Sequence, residues 1–156
     1  RITKYNMLKG KPVVLNEVAH TTKELGDGFI RLNAWPTMLK RNIAEIAIGA
    51  SIDQQNITEL FSRLNWEHKI VPDVPGMIVP RIIAMVINEA YFTFGAGVSS
   101  QDEIDIAMKL GTNYPYGPFE WSRLIGLERI HELLQVLARG DKRYEIAPAL
   151  VEEISS

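Results

Sequence analysis

Pro72-Asp73-Val74-Pro75-Gly76 divides this chain. Two prolines fix backbone φ and a glycine closes the run, so neither a helix nor a strand continues through it. Behind it lies the most apolar long stretch, residues 77–94. That stretch holds Pro80, Arg81, Asn88 and Glu89, so it reads as a buried helix rather than a membrane span. In front of the break, short β-branched runs alternate with polar segments. The expected organisation is one part over residues 1–73 and another over residues 74–156.

Working back from the break, residues 12–16, 29–33, 43–49 and 68–71 read as short strands. Thr21 to Leu25 reads as one helical turn stopped by Gly26. Ser51 is expected to cap a helix through Trp66, with Ile57, Leu60, Phe61 and Leu64 on one face. Strands alternating with helical segments suggest part of an α/β layer. Four short strands without a leading βαβ unit make a poor free-standing core.

Working forward, residues 79–94 are apolar nearly all round and should sit at the centre of a bundle, ended by Gly95 and Gly97. Ser100 and Glu103 form a capping box that opens a helix through Leu110, stopped by Gly111. Pro118 opens a short helix to Ile125. Residues 127–138 are amphipathic, with Ile130, Leu133, Leu134 and Leu137 inward and Gly140 as the stop. Residues 146–154 form a last helix that tolerates Pro148 in its first turn.

Composition narrows the chemistry. Of 156 residues, 17 are basic and 19 acidic, for a net charge of −2. That balance gives no basic footprint for nucleic acid or an anionic membrane. With no cysteine, a disulfide framework, a thiol nucleophile and Cys-ligated metal are excluded, and a reducing, cytoplasmic setting fits. Arg1 to Lys11 carries no apolar run of signal-peptide length. The first residue is Arg1 rather than Met, which suggests a fragment, a processed chain or the ordered part of a longer one. His20, His68 and His131 show no metal-ligand spacing, and no metal site is expected. Gly95-Ala96-Gly97 follows a helix instead of a strand, so it reads as a helix stop and not a phosphate-binding turn. Asn56-Ile57-Thr58 reads as helix sequence rather than a glycosylation site. Tyr114-Pro115-Tyr116-Gly117-Pro118-Phe119-Glu120-Trp121 is either a rigid corner packing two helices or a ligand or subunit contact.

Several blocks match a known pattern in order and spacing over about 70 residues. They are Val74-Pro75-Gly76-Met77-Ile78-Val79-Pro80-Arg81 with Asn88-Glu89-Ala90, Asp102 through Gly111, Pro115 through Trp121, and Ile125-Gly126-Leu127. They resemble the C-terminal domain of the 3-hydroxyacyl-CoA dehydrogenase family, the 3-hydroxybutyryl-CoA branch most of all. Val14-Leu15-Asn16, Leu32-Asn33-Ala34-Trp35-Pro36 and Ile43-Ala44-Glu45-Ile46 resemble, more faintly, the final third of the family's Rossmann domain. The fold implied is a remnant of a Rossmann-like α/β domain followed by an all-α dehydrogenase domain, mainly helical overall.

The resemblance also implies a chemistry. The family oxidises the 3-hydroxyl of an acyl-CoA with NAD, using a histidine as base and a glutamate twelve residues later to orient it. Glu45 matches the glutamate, but Asn33 stands in the histidine position, and an amide has no basic site near pH 7. The substrate-contacting positions fall at Val18 and Pro80, and the cofactor-contacting positions at Asn16 and Pro36. The family's aspartate after Gly-Pro-Phe-Glu is replaced near Arg123. The polar catalytic set is lost while the helical scaffold is kept. The resemblance thus implies a truncated or divergent dehydrogenase with weak or no turnover alone, or a non-catalytic dimerisation or acyl-CoA-binding module. An acyl-CoA ligand and a homodimer are the implied partners, with no nucleic acid and no membrane.

Overall fold

A computed structural model describes residues 12–156; the polar lead at residues 1–11 lies outside them. The chain divides into two compact units, one ending at Ile78 and one spanning Val79–Ser156. The division falls a few residues past the Pro72–Gly76 break. Gly76 donates to the carbonyl of Val18 (2.7 Å) and Ile78 donates to Glu45 (2.5 Å), so the end of the connecting segment belongs to the first unit.

The first unit is a four-stranded sheet of β1 (Val13–Asn16), β2 (Phe29–Leu32), β3 (Ile43–Ile48) and β4 (Glu67–Ile70), in that spatial order. β1 runs parallel to β2, β2 antiparallel to β3, and β3 parallel to β4. A single helical turn, α1 (Thr22–Leu25), joins the first parallel pair, and α2 (Gln54–Arg63) joins the second. Alternation along β3 puts Ala44 and Ile46 into the core and leaves Ile43 exposed. There they meet Ile30 of β2 and Ile57 and Phe61 of α2.

Two expectations about α2 need correction. The cap is Asp53, whose carboxylate accepts from the Gln55 N–H at 2.9 Å. Ser51 instead donates its hydroxyl to the Asp27 carbonyl at 2.8 Å, because residues 49–52 close a turn before the helix begins. The helix also ends at Arg63, short of Trp66. Asn65 then takes a left-handed φ of 49°, which reverses the chain and leaves Leu64 exposed instead of inward.

The second unit holds α3 (Val79–Gly95), α4 (Gln101–Thr112), α5 (Pro118–Ile125), α6 (Leu127–Ala138) and α7 (Pro148–Ser155). α3 touches all four of the others, which is why its sequence is apolar on most faces. Ile83, Ala84, Ile87, Ala90 and Tyr91 are buried along it. Ile130, Leu133, Leu134 and Leu137 of α6 are all buried as their spacing predicts. The Ser100–Glu103 capping box opens α4. The helix runs through Gly111, however, and stops at Asn113 in the left-handed region (φ 55°), since asparagine tolerates that backbone and can end a helix as glycine does. Asn88, polar in an otherwise apolar helix, accepts from Ala147 N–H (2.9 Å) and donates to the Glu145 carbonyl (2.8 Å). It thereby pins the approach to α7. Among the described residues, no helix is long and apolar enough to cross a membrane.

Candidate active site

The antiparallel pairing of β2 with β3 assembles the site. Leu32 faces Ile46 in the ladder, and the next step brings Asn33 N–H to the Glu45 carbonyl at 3.0 Å. Residues twelve apart in sequence therefore end side by side. The side chains follow: Asn33 Nδ2 donates to Glu45 Oε2 at 3.0 Å. Asn33 is 3% exposed, and its Oδ1 faces Trp35 N–H at 3.4 Å. Glu45 Oε1 accepts from Ile78 N–H. This pair can hold a hydrogen-bonding group in place. It cannot take a proton at residue 33, because a carboxamide nitrogen has no available lone pair.

The His20 Nδ1 lies 3.5 Å from Glu17 Oε1, and that same oxygen accepts from the N–H groups of Ala19 (2.7 Å) and His20 (3.0 Å). The imidazole is tied to its own loop.

Asn16 ends β1 beside Leu32 of β2, and its Oδ1 accepts from Ala34 N–H at 3.1 Å. Asn16, Asn33 and Glu45 are thus brought to one end of the sheet. Pro36 lies half-buried two residues beyond Ala34, ahead of a 3-10 turn at Met38–Lys40. Val18 is 5% exposed, and its carbonyl takes both Arg31 Nη2 (2.8 Å) and Gly76 N–H (2.7 Å). Its side chain is apolar, so it offers a substrate no polar atom. Pro80 is buried in the first turn of α3, in the other unit, and carries no N–H.

One buried charge pair is announced by no motif in the sequence. Arg31, with a fully buried side chain, pairs with Asp73 at 2.6 Å. Its guanidinium also donates to the carbonyls of Val18 and Val74. Burial pushes the Asp73 carboxyl up, but hydrogen bonds from Thr22 and Arg31 outweigh that and hold it below the usual aspartate value. A lone arginine inside the apolar strand Phe29–Leu32 was the signal, because a buried charge needs a partner.

In the helical unit the aromatic segment is a packing corner. Phe119 lies edge-on to Tyr91 (4.9 Å) and Phe94 (5.9 Å), and Trp121 packs on Tyr114 and Tyr116. The buried Asp105 carboxylate accepts from the N–H groups of Phe119 (2.8 Å) and Glu120 (3.0 Å) and pairs with Arg123 at 3.2 Å. It caps α5 from α4. Glu120 accepts from Gly117 N–H and Lys109, bonds that hold its carboxyl below the ordinary range. Burial pushes the Tyr91 hydroxyl up to about 12. Between α3 and α4 runs a mostly apolar groove of about 420 Å³, lined in part by Val86, Ala90, Val98, Ile104 and Met108. Among the described residues, no group of acidic or histidine side chains is arranged to hold a metal ion.

Comparisons to known proteins bear on the family and the fold. A family model for the 3-hydroxyacyl-CoA dehydrogenase C-terminal domain matches residues 76–155. The chain is 32% identical over 145 residues to a 3-hydroxybutyryl-CoA dehydrogenase of Clostridioides difficile, covering 90% of this chain and 51% of that protein. It is 47% identical over 76 residues to a 3-hydroxyadipyl-CoA dehydrogenase of Escherichia coli, covering 47% of this chain and 16% of that protein. It is also similar to the solved (S)-3-hydroxybutyryl-CoA dehydrogenase of Ralstonia eutropha, 25% identical with a TM-score of 0.83, over 99% of this chain and 62% of that one. The chain spans about half the length, or less, of the curated relatives named here. With a family model over half its residues and the fold of a solved dehydrogenase throughout, a Rossmann-like α/β remnant followed by an all-α domain, this chain belongs to the 3-hydroxyacyl-CoA dehydrogenase family.

Proposed function

We propose that this chain is a divergent 3-hydroxybutyryl-CoA dehydrogenase-like protein whose family reaction, NAD-dependent oxidation of an acyl-CoA 3-hydroxyl, runs weakly or not at all on the residues present. The supporting observation is the Asn33–Glu45 pair: the 3.0 Å hydrogen bond keeps the spacing of a base and its orienting carboxylate, with an amide where the base belongs. Loss of a general base removes about 10²–10⁴-fold of rate. Val18 and Pro80, in the substrate-contacting positions, offer no polar side-chain atom.

NAD would supply the hydride acceptor. The residues of this sequence do not by themselves fit it. No Gly-x-Gly-x-x-Gly turn occurs to take a pyrophosphate. The candidate contact Asn16 already spends its oxygen on Ala34 N–H, and Pro36 offers only a carbonyl. A cytoplasmic location belongs to the same proposal. The test is NAD-dependent oxidation of 3-hydroxybutyryl-CoA at neutral pH, where little or no turnover is expected. Turnover that Glu45→Ala abolishes and Asn33→His does not raise would overturn the reading.

A second reading, a non-catalytic dimerisation or acyl-CoA-binding module, is favoured by the apolar surface of the helical unit. Val98, which lines the α3–α4 groove, and Ile106 and Leu110 of α4 are 71%, 54% and 82% exposed, and exposed apolar surface, where contiguous, marks association sites. A homodimer is its expected partner. Sedimentation at micromolar concentration tests it, and a clean monomer counts against it.

A further inference from the structure

We propose that Glu45 is a positioning residue for the connecting segment, its carboxylate fastening the backbone of Ile78 to the strand that carries position 33. Residues 72–78 contain two prolines and a glycine, a composition that ordinarily gives a loose linker. Here the segment is held at three places. Asp73 accepts from the Thr22 N–H (2.9 Å) and hydroxyl (2.7 Å) and from Arg31 (2.6 Å), while Arg31 also reaches the Val74 carbonyl (3.2 Å). Gly76, at φ 78°, donates to Val18. Ile78 donates to Glu45 Oε1.

The residue between the last two anchors shows what the fastening does. Met77 is 3% exposed and takes a left-handed φ of 48°. That backbone is uphill for a side chain of its size and persists where its neighbours over-determine it. A charge-assisted hydrogen bond on the following N–H is one such determinant. This gives Glu45 a task that needs no imidazole at residue 33. Its other carboxylate oxygen separately holds Asn33 Nδ2.

Backbone amide exchange, read by NMR on the full chain, tests this at Ile78. In the unmodified protein the amide should be protected although Ile78 is 49% exposed. Glu45→Ala should speed its exchange by about tenfold or more, the size expected for losing a hydrogen bond to a charged group. Glu45→Gln should restore most of the protection, since the amide oxygen still accepts. Asn33→Ala should leave it in place. If Glu45→Ala loses its dispersed spectrum, Glu45→Met, of similar length and without an oxygen acceptor, replaces it. An unprotected Ile78 amide in the unmodified chain overturns the proposal, whatever the variants do. So does Asn33→Ala freeing Ile78 as fully as Glu45→Ala, or Glu45→Gln failing to rescue.

Discussion

Replacing Asp73 with asparagine should cost the first unit much of its stability. The Arg31 side chain is fully buried and that of Asp73 is 23% exposed, with 2.6 Å between them. Removing one partner of a fully buried pair costs about 3–5 kcal/mol, because the remaining charge is stranded. Solvent reaching Asp73 lowers that figure, and so do the carbonyls of Glu17, Val18 and Val74, which still accept from Arg31. Asparagine also keeps one oxygen for Thr22. The expected loss is therefore about 2–3 kcal/mol. With a urea slope near 1 kcal/mol/M for so small a unit, the midpoint should fall by roughly 2–3 M. Trp35 and Trp66 report on this unit by fluorescence, while Trp121 lies in the other. Because the folded Asp73 carboxyl sits below its ordinary value, its contribution is fully present above the unfolded pKa of about 3.9 and is lost as pH falls through the folded value. The gap between the unmodified protein and Asp73→Asn should therefore close as pH drops below about 4. A loss under about 0.5 kcal/mol at pH 7, the size of an ordinary surface substitution, would refute the claim that Arg31 depends on this carboxylate.

Two further outcomes follow from the geometry. Asn33→His should place an imidazole against Glu45, and adding Glu45→Gln should lower its pKa, followed by proton NMR, by about one unit or more, since burial of residue 33 acts alike in both variants; an unchanged pKa would mean the carboxylate does not face residue 33. Gly117→Ala should destabilise the helical unit by roughly 1–3 kcal/mol, read as a lower thermal midpoint by circular dichroism. A Cβ at Gly117 runs into the carboxylate and Cα of Asp105, and an unchanged midpoint would mean the corner gives way without cost.

Much of the architecture was open to reading from local pattern. The capping box at Ser100 and Glu103, Pro118 at a helix start, and the spacing of Ile130, Leu133, Leu134 and Leu137 are short-range signals, and each element appears where they place it. The errors cluster at boundaries, where several residues compete for one role. Ser51 and Asp53 can both cap a helix, and Gly111 and Asn113 can both end one. The winner in each case depended on which alternative partner was nearby, such as the Asp27 carbonyl for Ser51. Arg31 and Asp105 were missed because their partners lie 42 and 14 residues away. No periodicity reports contacts of that separation.

The order of residues was enough to identify the family, to expect a Rossmann-like remnant before an all-α domain, and to show that residue 33 cannot act as a base, since side-chain basicity is a property of the residue type. Whether Glu45 actually meets Asn33 was a different kind of question. It turned on β2 and β3 pairing antiparallel in one register, as a one-residue slip would send the side chains to opposite faces. The fastening of Ile78, the burial of Arg31 and the fate of Asp105 likewise arise where distant segments pack together. At Arg31 and Asp105 water has been displaced from a charge, and the groups that replace it come from other parts of the chain.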